Sequence, residues 1–234
     1  MNVLAIGAHP DDIELFCGGT LAKYAQAGHG VHFAVVCDGA GGVWGVPADE
    51  ARRLREVESL NAASIIGASV HHLGWRNHRI PADDSAMLQL LEIIRRVDPT
   101  VVMTHAANDC FLDHQRTSRL VDDAVSLSTV RDIQTESPWL PHQPCLLFMD
   151  TTLGLSFHPN EYVDITGVID VKRAMLECHR TQMSLVFDNP HEPSIMEIME
   201  VSALFRGIQC GVRYAEAYRL EPRWDRTMIW RLLP

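Results

Sequence analysis

Two short stretches of this chain bring together side chains that can move protons or hold a cation. The first, AIGAHPDDIE at residues 5–14, runs from an apolar segment straight into His9, Asp11 and Asp12. The second, AANDCFLDHQRTS at residues 106–118, carries Asp109, Asp113 and His114. Adjacent carboxylates repel unless something neutralises them, and a divalent cation is the simplest neutraliser. Two imidazoles and a carboxylate, with one position open to water, make a catalytic zinc site. In His9-Pro10-Asp11-Asp12 one carboxylate can bind the metal while its neighbour points elsewhere. A ligand carboxylate is a poor base, whereas the unbound one can accept a proton from water. The plain alternative is that Asp11 or Asp12 caps the helix that follows, and that His114 caps or lines the next one.

The elements that must position these groups are legible from hydrophobic periodicity. VLAIGA (3–8), VHFAVVC (31–37), SVHHLGW (69–75), TVVMTH (100–105) and CLLFMDTT (145–152) read as strands. Residues 18–28, 49–66, 85–97 and about 114–131 between them show helical spacing. Gly28, Gly30 and Gly67 punctuate the ends of the first two helices, and Asp98-Pro99 ends the third. Alternating strands and helices with near-continuous apolar strands predict a Rossmann-like doubly wound α/β fold, its mostly parallel sheet covered on both faces. The last third adds a short strand and a helix within VDITGVIDVKRAMLECHRTQMS, a helix in SIMEIMEVSALFRGIQ and a terminal strand in YAEAYRL. In the common strand order the switch point falls between the first and fourth strands, which places the two polar clusters side by side.

Composition narrows the class. The 234 residues suit one domain, and a net charge of −10 argues against a sequence-blind nucleic-acid binder. Six cysteines (17, 37, 110, 145, 178, 210) include no C-x-x-C pair and read as free thiols in a reducing compartment. Cys37 and Cys110, near strand ends, read as ordinary small core residues. No signal peptide or membrane-length apolar run is seen, so the expectation is a cytoplasmic protein without membrane or nucleic-acid partners. No G-x-S-x-G nucleophile elbow is present. HPDD stands where a dinucleotide fold would need glycines, and its carboxylates would repel a pyrophosphate.

AHPDD near the N-terminus followed by DH after the fourth strand resembles the PIG-L/LmbE family of metal-dependent N-deacetylases. CGGTLAKYAQAGH, CDGAGG, REVESLNAASIIGA, KRAMLECHRTQ and GVRYAEAYRL resemble further family segments in the same order, so the resemblance spans nearly all of residues 1–234 as a single LmbE-like domain. It implies that His9, Asp12 and His114 are metal ligands and Asp11 the general base. It implies that Asp113 orients a ligand histidine and that Arg55 helps hold substrate. The reaction implied is attack of metal-activated water on an acetamide, usually of an amino sugar, a linear non-peptide C–N bond. Zinc is the default metal, although the ligand set also accepts iron(II), manganese or cobalt. Members of the family often form homo-oligomers, so self-association is an expectation.

Two departures from the family pattern bear on substrate. The family has His-Pro-Asp-His at the second cluster, where this chain has Phe111-Leu112-Asp113-His114. The missing histidine stabilises the oxyanion or protonates the leaving group, and losing such a donor costs about a hundredfold or more. His105 is the nearest stand-in, with His142, His158, His78 and His191 as others. At LGWRNHRI (73–80) the family has Leu-Gly-x-x-Asp-Gly, its aspartate gripping sugar hydroxyls, where this chain has Asn77 and His78. Arg76 and Arg79 beside them would suit an anionic substrate. GAGGVWG (39–45) reads as a mobile active-site loop with Trp44 as a substrate lid. The leading expectation is a zinc hydrolase deacylating a small polar molecule. The alternatives are a hydratase of the same fold acting on an unsaturated carboxylic acid, and a metal-stabilised binding protein without turnover.

Overall fold

Every residue of the N-terminal run from Val3 to Ile6 is apolar, the pattern of a strand covered on both sides. In the computed structural model, which describes residues 1–81, 83–183, 193–220 and 233–234, this run forms β1 (Asn2–Gly7). Val3 and Ala5 enter one core and Leu4 and Ile6 the other. Parallel strands flank it, β2 (Gly30–Cys37) on one side and β4 (Val101–Thr104) on the other. β3 (Ser69–Trp75) lies outside β2, and β5 (Cys145–Met149) outside β4. β7 (Ala215–Leu220) runs antiparallel to β5 and carries β6 (Glu161–Asp164) at the far edge. The order β3-β2-β1-β4-β5-β7-β6 reverses direction between β1 and β4, as expected for a doubly wound, mostly parallel sheet.

Helices cover both faces. α1 (Asp12–Gln26), α2 (Ala48–Ser64), α5 (Ile169–Glu177) and α7 (Ile195–Cys210) supply residues to the core that takes Val3 and Ala5. α3 (Asp84–Val97) and α4 (Leu112–Leu127) supply the core that takes Leu4 and Ile6. A one-turn helix, α6 (Arg180–Met183), follows α5.

Element boundaries differ from the periodicity at the ends that matter. α1 begins at Asp12, not at residue 18, and α4 at Leu112. Acidic side chains favour the positive end of a helix, which suits Asp12 at the start of α1 and Asp113 in the first turn of α4. Asp12, Asp113 and His114 therefore stand in first turns directly after strand ends. β5 stops at Met149 because Asp150 turns to Arg206 of α7, with Nε to Oδ2 at 2.5 Å and Nη2 to Oδ1 at 2.9 Å. Opposite it, buried Glu216 of β7 accepts from the Gly19 and Thr20 backbone N–H groups, from Lys172 Nζ and from the Tyr218 hydroxyl, fastening α1 and α5 to the sheet.

Among the described residues all six cysteines are free, and no helix is long and apolar enough to cross a membrane. Cys37 is buried as expected, whereas Cys110 is exposed and no part of the core. His191 lies outside the described residues.

Candidate metal centre

The two polar clusters meet at the carboxyl ends of β1 and β4. Ala8 N–H donates to His105 Nε2 at 2.9 Å across 97 residues of sequence. His9 N–H donates to Asp12 Oδ2 at 2.6 Å, so Asp12 closes the HPDD turn and directs its carboxylate back over the strand end. There it faces three imidazoles. Oδ1 is 3.3 Å from His114 Nε2, and Oδ2 is 3.1 Å from His105 Nε2 and 3.4 Å from His9 Nδ1. His9, Asp12 and His114 each offer a ligand atom within 4.8 Å of the others, a donor set that fits a divalent cation.

Each candidate ligand imidazole has a carboxylate at its other nitrogen. His9 Nε2 lies 3.2 Å from Asp113 Oδ2, and His114 Nδ1 lies 3.2 Å from Asp109 Oδ1. Those carboxylates are themselves fixed. Asp113 accepts the His78 N–H at 2.7 Å, and Asp109 accepts the N–H groups of Phe111 and Thr152 at 2.9 and 2.8 Å. Such partners set the tautomer and aim of a ligand imidazole.

Without a cation, protons hold this cluster together. Burial opposes charge on His9, but Asp113 and Asp12 outweigh it and raise the pKa to about 9. Burial likewise opposes charge on His114, and Asp12 and Asp109 raise it to about 10. Both rings are thus charged at neutral pH in the metal-free protein, and a cation has to displace their protons. The pairing stabilises the metal-free fold fully below pH 6.5 and is lost as pH rises through about 9 to 10. Zinc titrated into the metal-free protein at pH 7 is expected to release about two protons, one from each ring. Calorimetry in buffers of different ionisation enthalpy checks this; a heat independent of buffer would remove both histidines from the ligand set.

Asp11 does something else. Its backbone sits at φ 117°, ψ −26°, a conformation that costs a non-glycine residue about 1–3 kcal/mol. It occupies the cap position of α1 without making a side-chain cap bond, and Asp12 bonds the turn behind it, so neither carboxylate is a helix cap. Asp11 Oδ2 lies 3.2 Å from Arg55 Nη2, which also donates to the Pro10 carbonyl. Arg55 Nη1 reaches Thr181 Oγ1 at 3.4 Å and Glu58 Oε2 at 3.5 Å. Burial raises the Asp11 pKa, Arg55 works against it, and Asp12 adds to the rise. Behind Asp11, buried His179 pairs with Glu14 at 3.2 Å. Burial opposes charge on His179, but Glu14 and Asp11 raise its pKa.

Gly39 permits this arrangement. Its φ is 69°, and a Cβ there would lie 2.8 Å from Arg55 Nε and 2.9 Å from Pro10 Cδ. Gly39→Ala is expected to cost about 1–3 kcal/mol of stability and to lower turnover as Pro10 and Arg55 shift. A denaturant melt with an activity assay checks it, and wild-type values in both would show that the contact relaxes freely.

The geometry bears on three expected roles. Arg55, expected to hold substrate, is 2 % exposed and directs its donors to Pro10, Asp11, Glu58 and Thr181. His105, expected to take over from the histidine absent at Phe111, has no exposed surface. It accepts the Ala8 N–H, stacks on His114 with ring centroids 3.9 Å apart and faces the interior. Burial, then the charge of His114, lowers its pKa to about 4. Trp44 is 69 % exposed and makes no ring contact among the described residues. Phe111 is half-exposed, its ring 5.1 Å from that of His114, so an apolar surface stands where a donor was expected.

The rim opposite is built by residues 76–80. His78 has a left-handed backbone, φ 63°, and a 74 % exposed side chain whose Nδ1 is 3.5 Å from Asp113 Oδ2. Arg116 holds its carbonyl at 3.1 Å. Asn77 packs where a Gly41 side chain would be, and its Oδ1 is buried without a hydrogen-bond partner. His142 and His158 are exposed.

The family model described as PIG-L, GlcNAc-PI de-N-acetylase, matches residues 4–125, just over half of the chain and the part that carries both clusters. The chain belongs to the PIG-L family. Diacetylchitobiose deacetylase of Thermococcus kodakarensis is 27 % identical over 232 residues, covering 94 % of this chain and 83 % of that one. 4-Oxalmesaconate hydratase of Pseudomonas putida is 26 % identical over 201 residues, covering 79 % and 75 %. The solved structure of N,N'-diacetylchitobiose deacetylase from Pyrococcus horikoshii superposes with a TM-score of 0.83 at 26 % identity, covering 94 % of this chain and 84 % of the other. The PIG-L chain described here thus has deacetylases and a hydratase among its relatives.

Sequence reasoning missed Glu14 and His179, and named Asp109 in the second cluster without giving it a role. Asp109 lies in the quoted second cluster, but only the fold shows that it serves His114 while Asp113 serves His9. His179 lies in the quoted KRAMLECHRTQ segment, and its approach to Asp11 depends on how α5 packs against α1.

Proposed function

We propose that this single-domain protein is a metal-dependent hydrolase that removes an acetyl or similar acyl group from an amide of a small polar molecule. The observation that carries this reading is the parting of two adjacent carboxylates by the strained Asp11 backbone. Asp12 turns to the imidazoles and Asp11 to Arg55. A divalent cation held by His9, Asp12 and His114 would supply Lewis acidity toward the amide carbonyl and lower the pKa of a water beside it. Zinc is the default, and the same donors suit iron(II). Asp11, outside the ligand set, accepts the proton of the attacking water and passes it to the nitrogen of the departing amine. Arg55 fixes where that carboxylate points. Asp113 and Asp109 hold the His9 and His114 rings, and His105 stacks against His114.

His78, the exposed imidazole paired with Asp113, is the group we place against the substrate in the role that Phe111 cannot fill. Asn77 next to it offers an amide for a substrate hydroxyl. His78→Gly suits the left-handed backbone, so stability is expected to stay within about 0.5 kcal/mol while turnover falls at least about tenfold. Unchanged turnover would return the role to another residue.

A second reading, hydration of an unsaturated carboxylic acid, is favoured by the apolar Phe111 and by the hydratase relative. The test is metal content and turnover on one anaerobic preparation, using N-acetylated amino sugars, N-acyl amino acids and an unsaturated diacid. Amide cleavage with about one metal per chain supports the hydrolase. Turnover of the diacid alone moves the protein to the lyases, and a protein that stays metal-free after reconstitution overturns both readings.

A further inference from the structure

β2 lies beside β1 and ends at Cys37, whose N–H donates to the Ala8 carbonyl at 2.7 Å. The strand thereby delivers a buried thiol to the edge of the sheet where His9 stands. His9, Cys37 and Asp113 each offer a ligand atom within 4.8 Å of the others, a second group of metal-binding geometry that shares one imidazole with the first. The two nitrogens of that ring face opposite ways, Nδ1 toward Asp12 and Nε2 toward Asp113. Asp113 has a spare oxygen. Oδ2 meets His9 and the His78 N–H, while Oδ1 is buried without a hydrogen-bond partner.

We propose that His9, Cys37 and Asp113 form a second, inhibitory site for a thiophilic divalent cation such as zinc or cadmium. A thiolate beside an imidazole and a carboxylate selects such ions over magnesium or manganese. Binding replaces the Cys37 S–H bond by a sulfur–metal bond and releases that proton to solvent, while the His9 proton leaves Nε2 for Nδ1 as Nδ1 lets go of the first cation, with no change of oxidation state. Inhibition follows from the shared ring. A neutral imidazole has one lone pair, so His9 cannot bind a metal through Nδ1 and a second through Nε2 while keeping the N–H that Asp113 holds. The second cation therefore draws His9 and Asp113 away from the first, and activity rises with the first equivalent and falls with excess.

This inference rests on the reading that His9, Asp12 and His114 hold the first cation, and the experiment separates the two. Metal-free protein carrying Cys110→Ser and Cys210→Ser, which removes the two exposed thiols, is titrated with cadmium with and without Cys37→Ser. The ultraviolet thiolate-to-cadmium charge-transfer band reports sulfur ligation, and equilibrium dialysis reports stoichiometry. The expected result is a first equivalent without the band and a second with it, the second being absent in Cys37→Ser. In zinc-dependent assays Cys37→Ser should need at least tenfold more zinc for half-inhibition. No band, or a band and inhibition unchanged by Cys37→Ser, overturns the proposal. A band on the first equivalent overturns the inhibitory order. A silent first equivalent that survives His114→Ala, with the Cys37-dependent second still present, overturns the first site and leaves the second standing.

Discussion

Asp11→Asn is expected to lower turnover about a thousandfold while the protein keeps its metal and its fold. The amide has nearly the shape of the carboxylate and still bonds Arg55 Nη2, now 3.2 Å from Asp11 Oδ2. It cannot take a proton from water. Metal content should be unchanged because the proposed ligand group is His9, Asp12 and His114. Stability should hold, since asparagine accepts positive φ more readily than most residues and a buried negative charge beside Asp12 is removed. Elemental analysis, a melt and a turnover assay on the same preparation decide it. Loss of metal together with activity would make Asp11 a ligand, and retained activity would place the base elsewhere.

Arg55→Met is expected to do the opposite kind of damage. It leaves Asp11 and Glu58 buried without their shared cation and the Pro10 carbonyl without its donor. Removing one partner of a buried ion pair costs about 3–5 kcal/mol, and turnover should fall with it as Asp11 loses its aim. Arg55→Lys restores charge but not the fork that reaches Pro10, Asp11 and Thr181 at once, so it should recover part of the stability and little of the turnover. A denaturant titration of the three proteins with kcat for each is the check. Full activity in Arg55→Lys would mean that charge alone matters, and a stable Arg55→Met would show that Asp11 is held by something else.

These predictions separate what is visible in the chain from what is not. The HPDD turn and Asp113-His114 can be read because each follows an apolar strand, and the order of alternating elements puts β1 next to β4. Their lateral meeting is a consequence of topology and needs no side-chain detail. Pairings within the site are another matter. Asp113 and Asp109 stand close to His114 in sequence, yet consecutive helical residues point about 100° apart, so Asp113 reaches His9 while Asp109, ahead of α4, reaches His114. Arg55 is recognisable in its R-x-x-E helix, but whether it faces substrate or the base depends on how α2 packs beside the glycine turn at Gly39. His105 is misleading because the end of a strand can project outward or inward, and one residue of register decides which.

The bond from Ala8 to His105 spans 97 residues, and the ligand group spans a similar length from His9 to His114. Nothing in the first half of that loop can assemble the centre by itself. β1 and α1 emerge before β4 during synthesis, carrying half a site with two adjacent carboxylates, and wait for β4 to dock. Closing so long a loop is slow, so a cation that joins its two ends acts on folding as a late clasp. Metal starvation should then show itself first in the yield of protein that completes folding, before any loss of rate in the molecules that have done so.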